Sequence, residues 1–239
     1  MKNSAYVLVG LLFLAGCSAK YVTPGRSVSL ETIDNSEIRE IYERTPSIQF
    51  PAGIAFTRIQ QSGYKSHSTK GYGSGLYSVV TTREIEKDED LDRIKAMPNV
   101  SGLAPLGKII IPESLSSIKH LRVAAAKLRA DVLLVYTLDT SFQVGSKVYG
   151  PLEAISLGFM RSKEVTVTST ASAAFYDART AYLYGISEAT ERRMKMSDLW
   201  DKTRVVDELR KEAETAAFHA LVPQLEDTWK GIVEKYSEK

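Results

Sequence analysis

Val132-Leu133-Leu134-Val135-Tyr136 is an apolar run with no polar residue between its members. A short run of this kind reads as a strand covered on both faces, because a half-exposed strand would alternate. Upstream, Ile118, Leu121, Ala125 and Leu128 recur at helical spacing on one face, with Ser114, Ser116 or Ser117 available to cap the helix. Before it, Lys108-Ile109-Ile110-Ile111 reads as a short buried strand stopped by Pro112. Strand, helix and strand in so few residues predict a right-handed crossover joining parallel strands, and hence a layered α/β domain. The chain has 239 residues, of which 44% are hydrophobic and 25% charged, enough for one core-forming domain with an appendage. That balance excludes a disordered chain, a collagen-like chain and a multi-span membrane protein.

The other elements complete the layers. Asp34-Asn35-Ser36 can cap a short amphipathic turn carrying Ile38, Ile41 and Tyr42, ended by Pro46. Ile54 to Ile59 predicts a strand, and Tyr77 to Ile85 a second, with a glycine-rich loop or wide hairpin from Gln60 to Ser78 between them. Asp88 to Met97 is a charged helix closed by Pro98. Val165 to Tyr176 and Tyr182 to Ala189 form a hairpin around Asp177-Ala178-Arg179-Thr180, with Val165, Val167, Ala171, Ala173 and Phe175 on one side. A last amphipathic helix starts near Asp198 with Leu199, Val206, Leu209, Ala213, Ala216 and Ala220 on one face. Pro223 kinks or restarts it, and Leu225, Trp229, Ile232 and Tyr236 extend the stripe. The expected fold is α/β: a mixed sheet with a β-α-β crossover and a late β-hairpin, packed by amphipathic helices that include a long C-terminal one.

The amino terminus is a separate matter. Lys2 precedes an apolar stretch from Ala5 to Ala15, about 16 Å as a helix and too short to span a bilayer. Such a segment reads as a secretory signal. Its end, Leu14-Ala15-Gly16-Cys17, resembles the lipobox of bacterial lipoproteins. That resemblance implies diacylglycerol on the Cys17 thiol, cleavage before Cys17 and acylation of the new amine. Cys17 is the only cysteine, so no disulfide or cysteine zinc site is available. Two or three acyl chains anchor stably where one does not. By resemblance to Gram-negative lipoproteins, Ser18 after the cysteine implies passage to the outer membrane. The expected organisation is therefore 1–16 signal peptide, 17–35 lipidated cysteine and flexible tether, and 36–239 a single periplasmic α/β domain.

Two stretches of the domain carry a further resemblance. Ala124-Ala125-Ala126-Lys127-Leu128-Arg129-Ala130-Asp131-Val132-Leu133-Leu134-Val135 joins an alanine-rich helix to a buried strand. Ala173-Ala174-Phe175-Tyr176-Asp177-Ala178-Arg179-Thr180-Ala181 is a hairpin of the form Asp-x-x-Thr-Gly, with Ala181 where glycine is usual. Both are similar to the periplasmic lipoprotein domains of the curli-secretion channel subunit, the activator lipoproteins of penicillin-binding proteins and the flagellar outer-membrane lipoproteins. If that turn needs a positive φ, Ala181 is strained.

Residues with chemistry to offer are scattered. His67, His120 and His219 lie in three elements without metal-ligand spacing, and no Gly-x-Ser-x-Gly elbow joins a strand to a helix. Gly71-Tyr72-Gly73-Ser74-Gly75 lacks the Gly-Lys-Ser/Thr ending of a phosphate loop. Glu86 to Asp92 reads as a solvated helix start. The helix after Ser117 presents Lys119, His120, Arg122, Lys127 and Arg129 with no acid among them, either a solvated outer face or a docking face for an acidic partner or anionic lipid. Val148 to Met160 is apolar but interrupted by Pro151. A membrane-crossing hairpin needs two alternating strands of about 9–11 residues, and alternation is confined to Ile155, Leu157 and Phe159. It reads as a folded-back flap over the sheet, with an exposed partner or membrane contact as the alternative.

The function expected from these readings is non-enzymatic: a membrane-anchored partner-binding or scaffolding module in envelope assembly or maintenance. No catalytic residue, cofactor or metal is expected. Cys17 is the lipid attachment site, and Lys119, Arg122, Arg129, Ile155, Leu157 and Phe159 are the candidate partner-binding residues. The expected partners are membrane lipid through acylated Cys17, an envelope protein, and further copies of the chain. A net charge of +2 gives no reason to bind nucleic acid. An oligomeric secretion or channel-associated subunit is the second reading, and a hydrolase the third.

Overall fold

A mixed seven-stranded sheet forms the middle layer of the domain. The structure, a computed structural model, describes residues 38–144, 147–149, 163–197 and 202–237. In chain order the elements are α1 (Ile38–Glu43), β1 (Ala52–Gln61), β2 (Ser74–Gly75), β3 (Tyr77–Val80), α2 (Asp88–Lys95), β4 (Val100–Pro105), a 3₁₀ turn (Lys108–Ile110), β5 (Ser114–Leu115), α3 (Lys119–Lys127), β6 (Val132–Val144), β7 (Lys147–Tyr149), β8 (Lys163–Asp177), β9 (Leu183–Ser197) and α4 (Lys202–Tyr236). The main sheet runs β3-β1-β6-β8-β9, with β4 against the first half of β1 and β7 against the end of β6. β4 and β6 are both parallel to β1 and flank it, while β8 and β9 form a long antiparallel hairpin.

The apolar run that opens β6 is central, as its pattern requires. Val132, Leu134 and Tyr136 face α2 and α4, where they meet Ile94, Met97, Phe218, Leu221 and Trp229. Leu133 and Val135 face the other way, onto Leu121, Ala124 and Ala125 of α3. A separate cluster of Phe142, Val165 and Val167 under Val206, Leu209 and Ala213 continues the packing at the far end of the sheet. The buried positions of α4 step by three or four through 206, 209, 213, 217, 221, 225, 229, 232 and 236. At 1.5 Å per residue its 35 residues span about 52 Å, and the 15 residues of β8 span about 50 Å, so one helix backs the whole hairpin.

Several expectations need correction. The parallel strand before α3 is β4, not Lys108 to Ile111; those residues make a 3₁₀ turn in which Ile109 is 97% exposed. β4 escaped notice because Val-Ser-Gly-Leu-Ala-Pro has no apolar run and its side chains are at best half-buried. Leu128 lies just past α3 and turns outward, off the buried stripe. On α4, Ala217 and Leu221 are buried in place of Ala216 and Ala220, since the step after Ala213 is four residues and not three. The helix is continuous through Pro223, which sits on its exposed side. β3 ends at Val80, short of Ile85. Ile38, Ile41 and Tyr42 lie on a helix as expected, but no residue of α1 is buried.

Two glycine readings come out differently. Gly75, at φ +119°, lies against β5 so closely that a Cβ would sit 2.4 Å from the Leu115 carbonyl oxygen, so this glycine serves close packing. Ala181 stands at φ +61°, the left-handed conformation that its glycine-like position implied. That conformation costs an L-residue about 1–2 kcal/mol, partly offset by the greater backbone entropy that glycine loses on folding. Ala181→Gly should therefore stabilise the domain by about 0.5–1 kcal/mol in denaturant melts. A destabilised variant would show that the buried Ala181 methyl contributes more than the strain costs.

Candidate functional site

The strands and helices have two distinct ends. β1, β4 and β6 all start at the end where the β8–β9 turn lies, since Val132 pairs with Asp177. The chain also enters the domain there: Ser47 donates from its backbone N–H (2.7 Å) and its hydroxyl to the Asp177 carboxylate. Asp177 further accepts from the backbone N–H groups of Arg179 (2.8 Å) and Thr180 (3.0 Å) and from the Tyr184 hydroxyl (2.6 Å). Burial alone would raise its pKa, but the hydrogen bonds from Tyr184, Thr180 and Ser47 outweigh it and hold the carboxyl below its usual value. Asp131 works beside it, accepting from Gly53 N–H (3.0 Å) and from the Arg179 guanidinium (2.8 Å). The two stretches that carry the family resemblance thus meet here as paired latches on the turn.

Further along the sheet from this end lies a buried network of charge. Arg58, in the second half of β1, and Arg210, on α4, are both fully buried between sheet and helix. Glu214 lies between them, 3.4 Å from Arg58, in an ion pair with Arg210 and accepting from the Thr140 hydroxyl at 3.0 Å. Glu84 closes the set at 3.7 Å from Arg58 and 3.6 Å from Arg210, and Asp207 pairs with Arg210 at 3.1 Å. The Arg58 guanidinium also donates to the Tyr64 hydroxyl at 3.2 Å and lies over its ring. Burial favours a neutral Arg58, yet Tyr64, Glu214, Glu86 and Tyr136 raise its pKa on balance and it stays charged. Tyr136, buried beside Glu86 and hydrogen-bonded to it, has its phenol pushed well upward by burial and then by that carboxylate.

Above this network opens a groove of about 640 Å³ between α4, β9 and the Glu84 loop. Glu84, Lys87, Glu191, Arg193, Glu208, Lys211, Glu212 and His219 supply its charges, with Thr215, Ala216 and Ala220 along the floor. Several of these charges are paired: Lys211 lies 3.9 Å from Glu84, Arg193 2.9 Å from Glu191, and His219 2.6 Å from the buried Asp90. Val167, opposite Arg193, is ten residues from Asp177 along β8, so the groove mouth stands roughly 30 Å from the chain's entry end. The groove thus presents side chains of both signs of charge side by side.

The expected site residues are dispersed. Lys119 and Arg129 are exposed on α3 and on the turn after it, whereas the half-buried Arg122 donates to the carbonyls of Ala178 (3.2 Å) and Arg179 and so ties α3 to the β8–β9 turn. Cys17, Ile155, Leu157 and Phe159 lie outside the described residues. The solvated reading of Glu86 to Asp92 holds for Asp88, Glu89 and Asp92 and fails for Glu86 and Asp90, which are buried against Tyr136 and His219. Sequence reasoning missed the Arg58–Glu214–Arg210 network. Its visible signals were an arginine inside an apolar strand and an Arg–Glu pair four apart on the buried stripe of α4.

No protein-family model matches the chain, and no curated protein does. Among solved structures it is similar to a homolog of the neuraminyllactose-binding hemagglutinin from Helicobacter pylori, at 6% identity and a TM-score of 0.38, over 82% of this chain and 94% of that one. It is also similar to lipoprotein GNA1162 from Neisseria meningitidis, at 11% identity and a TM-score of 0.27, over 68% and 94%. A third is the PelC dodecamer from Paraburkholderia phytofirmans, at 10% identity and a TM-score of 0.24, over 74% and 92%.

Proposed function

We propose that this chain is a bacterial envelope lipoprotein, anchored through acylated Cys17, whose domain binds a protein partner without catalysing a reaction. The observation that carries this reading is the opposition of its two ends. The chain enters beside Asp177, where a lipid tether would attach, and the charged groove lies roughly 30 Å away, where it would be held off the membrane. The groove's mixture of acidic and basic side chains, with ion pairs such as Arg193–Glu191 and Lys211–Glu84, supports recognition of a partner surface carrying both signs of charge. The lipobox at Leu14 to Cys17 supports the anchor, and Ser18 supports the outer membrane with the domain in the periplasm.

Cys17→Ala should abolish labelling with a clickable palmitate and leave the protein uncleaved or unanchored. Normal acylation of that variant would overturn the anchor. Photocrosslinkers at Glu212 and Lys211 should join one other envelope protein, and the mass in mild detergent should be that of a monomer. A closed ring of many copies would replace this reading with the oligomeric secretion or channel-associated subunit.

A further inference from the structure

At the entry end, α1 carries Ile38, Ile41 and Tyr42 at helical spacing, so that they share one face. They are 74%, 48% and 86% exposed; the three apolar clusters hold most large apolar groups of the domain, and the others that are exposed among the described residues, such as Ile109, Ile186 and Met194, are spread over other elements. The helix is nevertheless held to this end: Arg44, directly after it, reaches the Ala181 carbonyl (3.5 Å), and Ser47 is locked to Asp177. α2, α3 and α4 all terminate at the same end, and their last turns place exposed Lys127, Arg129 and Lys235 around it. These cations complement the negative helix ends and are exposed, on both sides of the sheet. Of the carboxylates at this end, Glu40 pairs with Arg44 and Asp131 with Arg179, while Glu43 on α1 and Glu234 beside Lys235 are exposed.

We propose that this end is a membrane-facing foot: α1 inserts its Ile38–Ile41–Tyr42 face among the headgroups of an anionic bilayer while the surrounding lysine and arginine side chains meet lipid phosphates. The inference rests on the anchoring proposed above, which brings the foot to its surface. Cys17 lies upstream of Ile38 by no more than about 70 Å of fully extended chain. Confined that near the bilayer, the foot needs little intrinsic affinity, since the local concentration of surface replaces it. An aliphatic face with a tyrosine at the boundary and basic residues around it is the composition of an interfacial segment. Docking would stand the domain upright, with the groove pointing away from the lipid.

The test uses the mature-length chain from position 17 with Cys17→Ser, which removes both the acyl chains and the only thiol. Glu43→Cys then carries an environment-sensitive dye beside α1, and Lys211→Cys carries it at the groove in a second preparation. On vesicles of phosphatidylglycerol mixed with phosphatidylcholine, the dye at position 43 should shift to the blue and be quenched by bilayer-embedded quenchers, while the dye at 211 stays hydrated. Replacing Ile38 and Ile41 together by Asp should weaken vesicle binding about tenfold or more and leave the melting temperature unchanged, because neither residue is buried in the fold. Equal hydration at both positions, or binding indifferent to the Asp substitutions, would overturn the foot. So would shielding of position 43 without vesicles that grows with protein concentration, which would assign the face to a second copy. Failure of Cys17 acylation in the native protein would sink the anchor and leave these vesicle results unchanged.

Discussion

Glu214→Ala is expected to lower the unfolding free energy by about 3–5 kcal/mol, the usual cost of breaking a buried ion pair from one side. Glu214 is fully buried between Arg58 and Arg210, and both guanidinium groups are themselves fully buried. Removing the carboxylate leaves two cations facing each other with Glu84 and Asp207 as their remaining counter-charges, and takes the acceptor from Thr140. For a domain of this size, each kcal/mol moves the melting temperature by about 2–4 °C, so the drop should be roughly 10 °C or more. Glu214→Gln keeps the Thr140 bond and the side-chain volume and should fall between. A melt unchanged by Glu214→Ala would mean that Glu84 and Asp207 already neutralise the pair, and that the network is not what fastens α4 to the sheet.

At the other end, Asp177→Ala should cost about 3 kcal/mol or more at neutral pH. It strips an acceptor from five donors at once, the backbone N–H groups of Ser47, Arg179 and Thr180 and the hydroxyls of Ser47 and Tyr184. The effect depends on pH with a definite sign. The folded-state pKa of Asp177 is depressed, so its contribution is fully present above the unfolded value near 4 and is lost as pH falls through the folded value. Comparing wild type with Asp177→Asn in denaturant melts at neutral pH and at pH about 3 checks this. The stability gap should narrow on acidification. A gap that stays constant would mean that the hydrogen bonds, and not the charge, account for the whole contribution.

The groove and the two latches explain how much of this could be read from the chain. Periodicity exposed β6, α3, β8 and most of α4, because in each the burial is one-sided or complete over many residues. It failed at β4, where a short strand at the sheet margin buries too little to impose a pattern, and at Lys108 to Ile111, where an apolar composition belongs to a turn. The left-handed Ala181 was legible from its place in a glycine-type turn, since backbone conformation is a local property. Glu86 and Asp90 were not, because only the approach of Tyr136 from β6 and His219 from α4 takes them out of water.

The sequence by itself determined the α/β class, the single cysteine in its lipobox-like setting and the amphipathic faces of the helices, all of which depend on residues close together in the chain. Tertiary structure decided which faces find a partner. It gathered Arg58 of β1, Glu84 of the loop after β3 and Arg210 and Glu214 of α4 into one buried network, and it left Ile38, Ile41 and Tyr42 uncovered beside the entry point. Coulomb interactions and burial act between groups close in space whatever their separation in sequence, so the local signals at Arg58 and at Arg210–Glu214 mark unusual residues without showing that they meet.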